Sequence, residues 1–280
     1  MPRFFNKIAA IAVAIAGFSG VQAEGGGIKL YALNCGDINF LDLGVFSREG
    51  EYEGETKKAA NGCFLVKHPK GTLLWDTGLP EGLVNLPEGL NNGKFHLKVT
   101  RTLTDQLADI GVTPADIDYL SVSHSHFDHM GNGGLFAGST FLVNEVERAH
   151  MFRDEARANT SNFAAYGALE DSKTIEFKEM HDVFGDGKAV IVTLPGHTPG
   201  HTVLSLKLEN AGAVLLTGDL YHLQRARELR TVPTFNTDTA ATHESMDAFE
   251  AMADKTGARV IIQHSKSDFE GLPKLPAFLD

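Results

Sequence analysis

Six residues constrain this chain more than any others: His124-Ser125-His126-Phe127-Asp128-His129. Three imidazoles and a carboxylate at the spacing His-x-His-x-Asp-His bring nitrogen and hard oxygen donors together at short range, as a divalent transition metal requires. Residues 117–122 ahead of the motif alternate apolar and polar side chains and are rich in strand formers, whereas Gly131-Asn132-Gly133-Gly134 behind it suits no element interior. The motif is therefore predicted on a loop leaving the C-terminal end of a strand. Residues two apart in a near-extended segment point the same way, so His124 and His126 can face one metal. Asp128 and His129, where the chain turns, are free to face another.

Composition bounds the rest. The 280 residues are 42% hydrophobic, enough for one large α/β layered domain with an ample core. Residues 1–23 read as a secretory signal peptide: Arg3 and Lys7 precede a short apolar run, and Val21-Gln22-Ala23 ends in a small-residue cleavage pattern. The run is too short for a membrane span. The expected mature domain is 24–280, periplasmic or secreted, with no stable membrane anchor after cleavage. The net charge is −11 and becomes more negative once the leader is lost. Such a surface repels phosphate backbones, which argues against nucleic acid and for a neutral or weakly charged small molecule. Cys35 and Cys63 fall in two predicted N-terminal strands that could be neighbours, and both a disulfide and two buried thiols fit them.

Strands are predicted over 28–35, 62–66, 72–75, 117–122, 140–143, 189–194, 202–208, 214–217 and 259–263, and helices over 102–110, 145–153 and 246–255. The aperiodic stretch 36–61, with Phe40 and Phe46, reads as a pocket wall or a packed hairpin, 85–94 as loop, and 154–178 as a helix plus loop over the site.

Four donors do not close two metal sites. Three later residues sit just past apolar strands: His197 after 191–194, Asp219 after 214–217 and His264 after 260–263. Loops leaving strand C-termini in layered α/β folds collect on one edge, where sites are built. The predicted assignment is His124, His126 and His197 on one metal, Asp128, His129 and His264 on the other, and Asp219 bridging. A His/Asp set without thiolates indicates an open, catalytic site rather than a structural one, with a shared water acidified toward neutral pKa. Asp76 is expected to orient the motif loop from behind, and His201 to fix its own loop.

These residues together resemble the metallo-β-lactamase superfamily. The resemblance spans the mature chain, including Trp75-Asp76-Thr77-Gly78 and Gly196-His197-Thr198-Pro199-Gly200-His201. It implies a four-layer αββα sandwich carrying two Zn2+ at one edge. A bridging Asp219 separates the chain from true β-lactamases and groups it with lactonases, glyoxalase II-like thioesterases and phosphotriester hydrolases. The 40–46 region, the segment Arg230–Asn236 with Ser245-Met246, and the short sequence after His264 are most similar to N-acyl homoserine lactonases. The resemblance thus implies opening of a lactone ring by a metal-bridging hydroxide, with Asp128 or Asp219 passing the proton.

In one respect the chain departs from that family, which carries a Tyr three residues after the bridging Asp. Here His222 holds that place and Tyr221 lies one position short, so His222 or Tyr221 is the expected oxyanion donor. The His keeps a phosphotriesterase of the methyl parathion hydrolase type as the alternative. Phe40, Phe46 and Phe235 are the candidate substrate wall, and the partner is a small lactone, with a homodimer left open.

Overall fold

The computed structural model describes residues 27–280, so the predicted leader lies outside the described residues. One mixed sheet is built from β1 (Lys29–Phe40), β2 (Lys57–His68), β3 (Gly71–Trp75), β4 (Leu90–Asn91), β5 (Phe95–Lys98), β6 (Tyr119–Ser121), β7 (Thr140–Asn144) and β8 (Thr174–Phe177). Its spatial order is β4-β5-β1-β2-β3-β6-β7-β8. The second sheet holds β9 (Met180–Asp182), β10 (Ala189–Thr193), β11 (Thr202–Leu208), β12 (Gly212–Leu216) and β13 (Arg259–Ile261), in the order β13-β12-β11-β10-β9.

Strand alternation decides how the layers stack, because successive side chains leave opposite faces of a sheet. On β2, Phe64 and Val66 enter a core shared with Leu204, Leu206, Val214 and Leu216 of the second sheet, while Cys63 and Leu65 face the other way. The outward residues of the first sheet, with Leu74, Leu120 and Phe141, are covered by α1 (Leu103–Asp109), α2 (Glu145–Met151), α3 (Asp154–Ala158) and α4 (Thr160–Tyr166), whose Leu103, Leu107, Met151 and Tyr166 join that core. Past the short α5 (Gln224–Leu229), α6 (Thr239–Thr256) lays Met246, Phe249 and Ala253 on Val203 and Leu215 of the second sheet. Truncating the fully buried Phe249 to Ala would cost about 3–5 kcal/mol. The result is the expected αββα sandwich; α7 (Lys266–Glu270) plugs the inter-sheet core with Phe269. Among the described residues no helix is long and apolar enough to cross a membrane.

Several local expectations are corrected. β1 continues past Cys35 to Phe40 because a register shift between Asn34 and Asp37, at Gly36 (φ 131°), lets Ile38 and Phe40 resume the alternation. Leu90–Asn91 pairs with β5, so part of the expected 85–94 loop is a hairpin. The 154–178 segment is not a cover over the site: α4 and the turn after it bury Tyr166 and Leu169 in the outer core, and β8 joins the sheet. Cys35 and Cys63 form a disulfide, with Cα atoms 5.7 Å apart, which settles the choice left open by the sequence.

The topology brings the donor loops together. β6 is parallel to β3, and β13 to β12. The segments after β3, β6, β10, β12 and β13 therefore leave one edge of the sandwich, carrying Asp76, the motif, His197, Asp219 and His264. Gly131 lets the motif loop lie on its neighbour, since a Cβ there would collide with Pro80 N and Gly78 O.

Candidate metal centre and substrate pocket

Seven side chains converge on this edge in two groups. His124, His126, His197 and Asp219 form the first, and Asp128, His129 and His264 the second. In the first, His126 Nδ1 lies 2.9 Å from His124 Nε2 and 3.0 Å from His197 Nε2, and the latter two nitrogens are 3.1 Å apart. Asp219 spans both groups: Oδ2 is 3.5 Å from His124 Nε2 and 3.3 Å from His197 Nε2, while Oδ1 is 3.2 Å from His129 Nε2 and 3.0 Å from His264 Nε2. Asp128 Oδ2 lies 3.4 Å from His264 Nε2.

The donors fit metal ions on three counts. Metal–nitrogen bonds of about 2.0–2.1 Å in a tetrahedron separate nitrogens by about 3.3 Å, close to the observed triangle. The other ring nitrogens are already engaged: His197 Nδ1 donates to Asn236 Oδ1 at 2.8 Å and His264 Nδ1 to Ala60 O at 2.9 Å. His129 Nδ1 donates to Asp76 Oδ2 at 3.0 Å. The inward nitrogens of these rings are therefore lone pairs aimed at one another, an arrangement that a cation relieves. Finally, His129 Nε2 and Asp219 Oδ1 are buried without a hydrogen-bond partner, which would be costly unless something binds them.

Electrostatics divides the two groups. Burial pushes His124 and His126 well below the usual imidazole range. Burial also opposes protonation of His129 and His264, but Asp219 with Asp76 and Asp128 around the first, and Asp219 with Asp128 around the second, outweigh it and raise both. Asp219 is held well below the carboxylate range; the surrounding imidazoles, His222 first, overcome its burial. A carboxylate set that favours positive charge at this point also favours a bound cation.

A second layer holds the donors. Asp76, in the left-handed region at φ 61°, accepts from Ser123 N at 2.6 Å, Ser123 Oγ at 3.0 Å and Gln263 Nε2 at 2.7 Å. His201 is no metal donor: Nδ1 donates to Leu194 O at 3.0 Å and Nε2 accepts from Asp219 N at 2.9 Å, a role that needs the neutral ring, and burial lowers its pKa to about 3. The buried Glu147 accepts from Ser125 N at 2.8 Å and Gly200 N at 3.0 Å, tying the two histidine loops together. Sequence reasoning missed Glu147, Gln263, Ser123 and the role of Asn236. Only Asp76 and His201 had a readable signal, namely their place at a strand end or inside a histidine-bearing loop.

Above the donors opens a cavity of about 250 Å3. Asp128, Asp219, His126, His222 and His264 form its floor, and Ile38, Phe40, Val45, Phe46, Phe95, Phe127 and Phe235 its apolar wall. All three aromatics expected from the sequence line it. Phe46 sits 4.4 Å from Phe40 and 5.4 Å from Phe235, centroid to centroid. His222 Nε2 lies 3.0 Å from Asp219 Oδ2, and burial lowers its pKa to about 4, leaving a neutral ring. Tyr221 must be corrected. Its hydroxyl donates to Glu250 Oε1 at 2.9 Å and its ring packs on Phe249, on the far side of the turn from the cavity. Of the pair, only His222 lines the cavity.

The sequence profile of the metallo-beta-lactamase superfamily matches residues 61–264. The chain belongs to that superfamily. It is an enzyme of the hydrolase class, and its two His/Asp groups are of the kind that can hold divalent metal ions. It is 28% identical over 263 residues to the N-acyl homoserine lactonase AttM of Azorhizobium caulinodans, covering 90% of this chain and 99% of that one. Over 169 residues it is 34% identical to the N-acyl homoserine lactonase AiiA of Bacillus thuringiensis subsp. kurstaki, covering 56% of this chain and 62% of the relative. Among solved structures it superposes with a TM-score of 0.76 and 26% identity on an N-acyl homoserine lactone hydrolase with N-hexanoyl-L-homoserine bound at its catalytic metal centre, covering 89% and 98% of the two chains.

Proposed function

We propose that the protein opens the lactone ring of N-acyl homoserine lactones at a pair of Zn2+ ions. The observation that carries this reading is an apolar, aromatic-walled cavity whose floor is the donor cluster. Such a pocket suits a substrate with one polar, hydrolysable end and one alkyl end. Similarity to lactonases over nearly the whole of both chains supports it.

In this reading His124, His126 and His197 would hold one ion and Asp128, His129 and His264 the other, with Asp219 available to both. The ions, when bound, polarise the ester carbonyl and lower the pKa of the attacking water. Water adds to the lactone carbonyl carbon, the ring C–O bond breaks, and the proton released by water ends on the former ring oxygen. Asp128, the more exposed of the two carboxylates in the cluster (8% against 3% for Asp219), carries that proton. His222 lies at the floor with Nε2 3.0 Å from Asp219 Oδ2; with Asp219 holding the ions, that N–H would turn from the carboxylate to the developing oxyanion, worth on the order of 3 kcal/mol in good geometry. Phe40, Phe46 and Phe235 take the acyl chain and exclude water from the ester.

A substrate panel tests the reading: N-acyl homoserine lactones of several tail lengths, methyl parathion, S-lactoylglutathione and nitrocefin. Rapid acid release from the lactones with little turnover of the others is expected, together with close to two zinc ions per chain. Strong phosphotriester cleavage with weak ring opening would overturn it. We also propose that the enzyme works in the periplasm or outside the cell. The leader pattern and the Cys35–Cys63 disulfide support this; cell fractionation and the intact mass of the mature chain test it.

A further inference from the structure

We propose that Lys94 makes the enzyme selective for N-acyl homoserine lactones whose acyl chain carries a keto or hydroxyl oxygen. The inference rests on the lactonase reading and adds to it a chemical class of tail.

Lys94, an exposed residue, is the one lysine or arginine lining the cavity, and the other polar residue of the wall, Thr234, has its hydroxyl already donated to Val45 O at 3.0 Å. Its position is defined by its main chain: Lys94 N donates to Asn92 Oδ1 at 3.1 Å, and Lys94 O accepts from Leu41 N at 2.9 Å. The next residue, Phe95, pairs across the sheet with Phe40, their rings 5.9 Å apart, and Phe40 in turn lies 6.0 Å from the His264 ring. The wall thus runs from His264 through Phe40 and Phe95 to Lys94. In the proposed binding mode the lactone sits at the donor cluster and its acyl chain follows this wall, where the exposed Lys94 at its end would meet the chain rather than the ring.

Among the described residues Lys94 forms no ion pair with any carboxylate, and the two acids lining the cavity, Asp128 and Asp219, belong to the donor cluster. Its ammonium offers three donors and accepts nothing. An unsubstituted alkyl chain lying against it removes water without returning a hydrogen bond, which weakens binding. A chain oxygen accepts a charge-assisted hydrogen bond there. A site that donates to a substrate oxygen discriminates against the analogue that lacks it. The same cation does nothing for the reacting ester, so the effect belongs to KM and not to kcat.

The test compares zinc-loaded wild-type enzyme with Lys94→Met and Lys94→Arg on N-(3-oxooctanoyl) and N-octanoyl homoserine lactone. In the wild type the oxo substrate should have a kcat/KM about 10-fold above that of the plain chain. Lys94→Met should bring the ratio close to one by raising KM for the oxo substrate and lowering it for the plain chain, with kcat for both unchanged. Lys94→Arg should keep most of the preference. A ratio that is the same in wild type and Lys94→Met overturns the proposal while leaving the lactonase reading intact. Failure of the wild type to open either lactone overturns the lactonase reading, and this proposal with it.

Discussion

The floor of the cavity and its wall are held in different ways. On the floor several donors have a hydrogen-bonded partner behind them: His197 is held by Asn236, whose Nδ2 donates to Thr242 Oγ1 at 3.1 Å, and His129 is held by Asp76, which is itself fixed by Ser123 and Gln263. The wall has no such network. Phe46 and Phe235 hold each other by edge contacts, and Phe235 remains 41% exposed. Hydrogen bonds fix direction and packing fixes volume. A reaction centre needs the first and a variable hydrocarbon tail needs only the second. Substitutions on the floor should therefore change chemistry or metal retention, and those on the wall should change selectivity.

The largest expected effect is at Asp219, whose Oδ2 faces His124 and His197 of the first group and whose Oδ1 faces His129 and His264 of the second. Asp219→Ala should lower turnover by on the order of 10^3-fold and reduce bound zinc below two per chain, read together by acid release and elemental analysis. A variant that kept two ions and near-normal turnover would break the division between floor and wall at its strongest point.

Next comes the turn after Asp219. His222→Ala should lower kcat about 100-fold with metal content unchanged. Tyr221→Phe should leave kcat within about 2-fold, while removing the bond to Glu250 lowers stability by about 1 kcal/mol in chemical denaturation. The reverse result, with Tyr221 controlling kcat, would contradict the placement of the two side chains. A smaller effect is expected one layer back. Asn236→Ala leaves His197 Nδ1 without its acceptor, so zinc affinity, measured by competition with a chelator, should fall about 10- to 100-fold.

This contrast also explains what could be read from the sequence. The seven donors were legible because metal ligation restricts residue type, and because each sits just past an apolar strand, so spacing and chemistry point the same way. The layers came from the family resemblance instead: 62–66 and 214–217 are almost continuously apolar, which marks buried strands but does not say how the sheets stack. The partners behind the donors were not legible. Gln263 and Glu147 are ordinary polar residues in sequence, and only tertiary contact brings Gln263 against Asp76, nearly two hundred positions away. Tyr221 and His222 could not be told apart because a one-residue change of direction decides which faces the cavity, and local sequence does not fix it. The extension of β1 past Gly36 was hidden because its alternation resumes only after a bulge, where a glycine ordinarily signals the end of a strand.

The smallest effect belongs to the wall. Phe235 packs on Phe46 at 5.4 Å and faces His222 at 5.8 Å, but no hydrogen bond of a donor passes through it. Phe235→Ala removes apolar surface from the path of the acyl chain without disturbing the ester. KM for a decanoyl lactone should rise about 5- to 10-fold, the equivalent of one or two buried methylenes, with kcat unchanged. For a butanoyl lactone, whose tail covers less of the wall, KM should rise by less than about 2-fold. Equal rises for both tails would place Phe235 against the lactone ring, and a fall in kcat would make it part of the floor. A rise that grows with tail length is what a wall held by packing alone should produce.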